Sequence, residues 1–281
     1  MKQKGFTLVE VMISLFIGGL VLGGVMFTYI GMKVTTKDTM TIGELQESGR
    51  LAINIIQRDI EQVGFWGTYY DDSFTAMNTT TLAPPVNDCF EGLNNGSFPD
   101  LASTSNFRTL YAKTANGADE LNCINNSLIG TDILQVKFLQ GDQLTDQAGN
   151  NETQDGQNYF VAEQEQARFV RGVVDPASLS VNATVWPYSH HTYYISEQTY
   201  QVNNKSLTVP ALMRNRLVND EVRAETIMEG VENMRFVFGL DTTNDSRVDT
   251  YRSIEKMTPS NWENRKGILT VQVFLLIRAL Q

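Results

Sequence analysis

Hydrophobic positions fall into three regimes along the chain. From Phe6 to Met32 they are nearly continuous, broken by one charge, Glu10, and by no proline. That run exceeds the ~20 apolar residues an α-helix needs to cross a bilayer core, so the pattern predicts a membrane-spanning helix. After a polar stretch, Thr35 to Thr41, apolar residues return at helical spacing as Leu45, Ala52, Ile56 and Val63, flanked by Leu51, Ile55 and Ile60. Glu44, Glu47, Arg50, Gln57, Arg58 and Glu61 fall largely on the other side, and Gly64 supplies a stop. One helix from Phe6 to Val63 is expected, half in lipid and half as the spine of a soluble head.

Beyond Gly64 the period shortens to two. Asp132 to Leu139, Tyr159 to Glu163, Ala167 to Val174, His191 to Tyr200, Ser206 to Arg214, Val231 to Leu240 and Leu269 to Ala279 read as strands. Asn203-Asn204-Lys205 joins the fourth and fifth as a hairpin. In the last strand Leu269, Val271, Val273, Leu275 and Ile277 share a face that is expected to rest on the helix. Thr68 to about Leu128 is rich in Thr, Asn, Ser and Asp, contains Pro84-Pro85, and reads as long loops with short elements. Gln140 to Asn158 reads as a further exposed loop. The fold class expected is α+β, a long N-terminal helix packed on an antiparallel sheet with loop-rich insertions in the head.

Charge narrows the partners. The formal net charge is −10, and loss of Lys2 and Lys4 would make it −12. Such a surface disfavours the clustered Lys and Arg contacts that hold a nucleic-acid backbone. Lys2 and Lys4 precede the apolar run and only Lys33 and Lys37 follow it closely, a bias toward a cytoplasmic N-terminus. A secretory signal also has a basic start, but its apolar region is shorter and ends at a small-residue cleavage site. An ionised carboxylate at the depth of Glu10 is costly and calls for a partner. A free amine on Phe6 would be one, and it exists only if the Gly5-Phe6 bond is cut.

Lys4-Gly5-Phe6-Thr7-Leu8-Val9-Glu10 resembles the class III signal of type IV prepilins and of their relatives in type II secretion. The resemblance implies that a membrane peptidase cuts between Gly5 and Phe6 and methylates the new amino terminus of Phe6. It also implies that Glu10 pairs with the terminal amine of a neighbouring subunit during assembly. Gly49-Arg50-Leu51-Ala52, Arg58-Asp59-Ile60 and Gly64, then Glu229 to Met234, Phe236 to Asp241, Trp262 and Val271 to Arg278, are similar to the PilW-like minor pilins. Roughly 66–190 carries no such motif.

The resemblance implies a structural minor pilin that helps initiate type IV pilus assembly at or near the tip. Its partners would be other minor pilins, the major pilin, the prepilin peptidase and the inner-membrane assembly platform. The chain would be a peptidase substrate and not an enzyme. Its parts would be a leader, 1–5, a transmembrane assembly helix, 6–32, the soluble half of the spine, 33–64, and a periplasmic head, 65–281. It would sit in the inner membrane before assembly and in the pilus afterwards. Two alternatives stay open: a minor pseudopilin of type II secretion, and an adhesin-like tip module.

The remaining chemistry is sparse. Cys89 and Cys123 would form a disulfide in an oxidising compartment, the alternative being two buried thiols. They lack zinc-site spacing. His190 and His191 are the only histidines, and neighbours in a strand face opposite ways, which argues against a shared metal. Asp241, Asp245 and Asp249 sit at the spacing of the first half of a calcium loop. Ser246 stands where that loop needs glycine and Arg252 where it needs glutamate, so a plain acidic turn is expected. Neither metal nor cofactor is expected. Gly18, Gly19, Gly23 and Gly24 read either as a close helix contact in lipid or as the glycine common in membrane helices.

Overall fold

The computed structural model describes residues 5, 7–71, 73–144, 152–202 and 205–279. It has two compact units, Met1–Ser48 and Gly49–Gln281. The elements in chain order are helix α1 (Leu8–Glu61), strands β1 (Thr79–Thr80), β2 (Leu110–Thr114), β3 (Asp132–Leu139), β4 (Asn158–Ala162), β5 (Ala167–Arg171), β6 (Thr184–Val202), β7 (Lys205–Val218), β8 (Glu221–Glu229), β9 (Val231–Leu240) and β10 (Thr250–Ser253), then helix α2 (Pro259–Glu263) and strand β11 (Ile268–Ile277). The class is α+β, and all strand pairs but β1–β5 are antiparallel.

The expected helix is present, and it stops at Glu61. Residues 62–64 form a turn, with Gly64 at φ +94°, a conformation that glycine enters without a Cβ penalty. In the second unit α1 buries Ala52, Ile56 and Asp59.

The large sheet turns on β6. Its first residues, Thr184–Pro187, pair with β4, Tyr188–Tyr193 pair with β3, and His191–Val202 pair with β7. The expected hairpin is therefore real from His191↔Arg216 to Val202↔Lys205, while Asn203 and Asn204 lie outside the described residues. So does 145–151 of the expected exposed loop, whose last residue, Asn158, belongs to β4. A smaller sheet has the order β10-β9-β11.

The two faces of β3 meet different layers. Leu134, Val136 and Phe138 share one core with Ala52 and Ile56 of α1 and with Met234, Phe236 and Phe238 of β9. On the other face Gln135 and Lys137, with His190 of β6, lie under the turn-rich segment between α1 and β3. Gln135 Nε2 donates to the Cys89 carbonyl (2.8 Å), and Lys137 Nζ donates to the Arg108 carbonyl (2.9 Å). That segment brings its own core: Trp66, Phe74, Phe98 and Phe107 pack with Phe160, Phe169 and Tyr188. Trp66 and Phe160 meet edge to face at 5.0 Å, and the Arg265 guanidinium stacks 4.9 Å over Phe74. The loop-rich region is thus held by an aromatic cluster worth ~0.5–1.5 kcal/mol per ring pair beyond area burial.

Three expectations need correction. Leu269 does not share the inward face of β11: a bulge between Ile268 and Thr270 shifts the phase, so Ile268 is half-buried and Leu269 exposed. The strand expected to reach Val174 ends at Arg171, because Gly172 adopts φ +88°. Strands β1, β2, β8 and β10 match none of the expected strands.

Asp59 has two partners on β6. Its carboxylate accepts from the Tyr193 hydroxyl (2.5 Å) and from His191 Nδ1, and Arg214 reaches the same hydroxyl at 3.5 Å. Burial, and then the Asp59 charge, push the Tyr193 hydroxyl far above the ordinary tyrosine range, so it remains a donor. Asp59→Ala strands two buried donors and is expected to cost about 2–3 kcal/mol in urea unfolding, against about 1 kcal/mol for Tyr193→Phe. Lys137, fully buried, has its pKa pushed down to about 7 by burial, opposed by the charge of Asp88. Between pH 7 and the ordinary lysine value near ~10.4, the unfolded chain holds a proton that the folded chain lacks, so this residue makes stability rise with pH across that window. The melting temperature is expected to climb from pH 7 to 10, and Lys137→Met should flatten that slope.

Candidate assembly interface

Gly5 is exposed and Phe6 lies outside the described residues. Thr7 caps α1. Its backbone N–H and its hydroxyl each donate to Glu10 Oε2 at 2.9 Å, and the Glu10 N–H donates back to Thr7 Oγ1 at 3.3 Å. This Thr-x-x-Glu reciprocity is a capping box, which satisfies donors that a helix start leaves open. Glu10 is thus occupied within its own chain, by a role the sequence reading did not assign to it. The signal was present in the Thr7-Leu8-Val9-Glu10 spacing.

Every large apolar side chain from Leu8 to Val34 is exposed. Two hydroxyls between them are satisfied locally: Ser14 Oγ donates to the Glu10 carbonyl (2.6 Å) and Thr28 Oγ1 to the Gly24 carbonyl (3.0 Å). Such back-bonding lets a hydroxyl sit in lipid without an open donor. A methyl added at Gly18, Gly19, Gly23 or Gly24 would meet nothing within 4 Å. The isolated chain therefore gives no packing reason for glycine at these four positions.

In the head the sequence-singled residues separate. Cys89 and Cys123 form a disulfide that closes a separation of 34 residues. Around it Lys113 of β2 bridges Glu91 and Glu120, at 2.5 and 2.6 Å, and Asn215 of β7 donates to the Cys123 carbonyl at 2.9 Å. His190 and His191 point to opposite faces of β6, the first to Ser97 and the second to Asp59. The Ser97 hydroxyl donates to Asp88 (2.6 Å), so the contact between His190 Nδ1 and Ser97 Oγ, 2.8 Å, must be donated by the imidazole. Burial, reinforced by Lys137, holds the His190 pKa well below the usual imidazole range. A serine whose proton is committed to a carboxylate and whose histidine is a donor is not poised for attack, and all three groups are buried. The cluster joins Asp88 and Ser97 of the turn-rich segment to β6.

Asp241, Asp245 and Asp249 do not converge. Asp241 accepts backbone N–H groups of Thr243, Asn244, Asp245 and Ser246, Asp249 Oδ2 accepts from Thr242 and Thr243, and Asp245 accepts from Arg247. Their oxygens close an acidic turn between β9 and β10. Among the described residues no three His, Cys, Asp or Glu side chains are grouped as metal ligands. The sequence analysis names Asp59 only within the PilW-like Arg58-Asp59-Ile60 and gives it no buried role, although 52, 56, 59 and 63 follow one helical stripe.

Two family models match the chain at its ends. The model of type IV pilus-assembly protein W covers residues 192–281, which hold most of β6 and everything after it. The model of the prokaryotic N-terminal methylation motif covers residues 1–26, which include the start of α1. No curated protein and no solved structure matches. The chain is thus similar to the methylation-motif model at its N-terminus and to pilus-assembly protein W over its C-terminal third, and neither match reaches the central stretch. Replacing Cys89 and Cys123 by serine is expected to lower stability by roughly 2–4 kcal/mol in chemical denaturation while leaving the aromatic cluster folded. Two free thiols in non-reducing peptide mapping would contradict the bridge.

Proposed function

We propose that this chain is a minor pilin that helps start assembly of a type IV pilus and stays at or near its tip. The observation that carries the reading is the coincidence, in one chain, of a methylation motif at 1–26, an exposed apolar helix behind it and a PilW-type sheet at 192–281. Residues 1–5 are the leader, cut between Gly5 and Phe6, and Phe6 is then methylated. Residues 6–32 lie in the inner membrane, 33–64 continue as the spine, and 65–281 form a periplasmic head. An oxidising periplasm accords with the Cys89–Cys123 bridge. The partners are other minor pilins, the major pilin, the peptidase and the assembly platform. The type II secretion alternative shares the leader, but the PilW match favours the pilus.

Glu10 is the assembly contact in this reading. Its carboxylate already accepts from Thr7, yet a carboxylate has further lone pairs, and a neighbour's amine in lipid meets little competition from solvent. Glu10→Ala is expected to leave cleavage and membrane insertion intact and to lower pilus number by about tenfold or more, an electrostatic loss of at least ~1.4 kcal/mol. Gly5→Leu should instead accumulate uncut precursor in the membrane. Normal piliation by the Glu10 variant, in a strain where deleting the gene removes pili, would overturn the proposed contact. A mature N-terminus other than Phe6 would overturn the processing site.

A further inference from the structure

Sheet edges in proteins are normally shielded against pairing by charge, proline or shortness. Most edges in this head follow that rule. β8 carries Glu221, Arg223, Glu225 and Glu229, β10 has four residues including Arg252, β1 has two, and β2 carries Lys113. β11 does not follow it. Over Ile268–Ile277 it has ten residues with no charge and no proline, and among the described residues it pairs only with β9. On antiparallel geometry every second residue of such a strand turns its N–H and C=O away from its one partner.

Uncovered apolar side chains lie on both sides of that open edge. Phe274 and Leu276, on the face away from α1, are 54% and 56% exposed, although a strand apolar on both faces is normally covered on both. On the inward side a cleft of about 480 Å³ opens between α1 and β11, lined by Ile53, Ile60 and Glu61 of the helix, by Val271 and Val273 of the strand, and by Arg265, so that it mixes apolar side chains with one charge of each sign. Ile53 is exposed there. A strand added to β11 would satisfy the open backbone groups and place alternate side chains over Ile53 and Ile60. A helix would fill the cleft but could not satisfy the edge.

We infer that β11 is a docking edge for an extended segment of another polypeptide, uncharged and apolar at alternate residues, which extends the small sheet over the uncovered stripe of α1. The inference concerns the head and stands whether or not the pilus reading does. The probe is a peptide of alternating valine and threonine, as long as β11 and with a lysine at each end, added to the full-length protein in phospholipid nanodiscs. Amide exchange across residues 268–277 should slow by about tenfold or more at saturation, and the same peptide N-methylated at alternate residues should give no protection. Ile53→Asp, on a side chain already exposed, should weaken peptide affinity by about tenfold without changing the melting temperature by more than a few degrees. Equal protection by both peptides, or protection by neither, overturns the inference. Protection that rises with protein concentration in the absence of peptide also overturns it, since the occupant is then a second copy of the chain.

Discussion

Burial of Asp59 determines where helix and sheet meet. A carboxylate in a core is tolerated only with hydrogen-bond partners, and the two donors to its Oδ2 are consecutive same-face residues of β6, His191 and Tyr193. A helix sliding on an apolar face alone can exchange one Ile for another at modest cost. Here a slide by one turn would leave a charge and two buried donors without partners. The register of α1 on the large sheet is therefore specified by polar chemistry, while Ala52 and Ile56 supply the area. Because β6 also pairs with β3, β4 and β7, the same contact orients the rest of the sheet.

The opposite face of that sheet explains the turn-rich segment. Asp132 to Leu139 alternates as a strand with one wet face, placing Gln135 and Lys137 where solvent is expected. The fold covers them instead. Gln135 bridges Asn95 and the Cys89 carbonyl, Lys137 is capped by the Arg108 carbonyl and lies 5.4 Å from the Phe107 ring, and His190 is kept neutral beside Ser97. A polar sheet face under a second layer demands a satisfied network, and Asn, Ser and Asp in turns supply it. Their abundance between Thr68 and Leu128 is the composition of a lid over polar groups, not of a loose loop.

Legibility in the sequence followed the regularity of each element. The apolar run, the 52/56/63 stripe and the methylation motif are local patterns, and each was readable. Asp59 lay on the readable stripe but was passed over as polar. Strand β8 was hidden because Glu, Arg, Ala and Met favour helices, and an edge strand uses such charges to stay unpaired. Leu269 was misplaced by a single bulge, which puts it out of phase with Val271, Val273, Leu275 and Ile277 while these keep the expected face. The aromatic cluster was unreadable in principle: Trp66, Phe74, Phe98 and Phe107 come from irregular backbone, so no period links them to one another or to Phe160 and Phe169.

The N-terminal unit obeys a different solvent logic. With Ser14 and Thr28 bonded to their own helix and Thr7 exchanging bonds with Glu10, these side chains leave no hydroxyl donor that lipid must strand. What stays unspent is acceptor capacity on one carboxylate at the helix start. Dispersion between apolar helices in lipid is nearly indifferent to partner and register, since lipid tails are as apolar as leucine. A specific subunit contact along α1 must therefore draw on polar or small-residue features. In this stretch those include Glu10 and Gly18, Gly19, Gly23 and Gly24, whose space is unfilled in the isolated chain. The proposed pairing of Glu10 with a neighbouring amine would fix axial position. The glycines would let the backbones approach once that position is set, so the two features act in series, charge first and packing second.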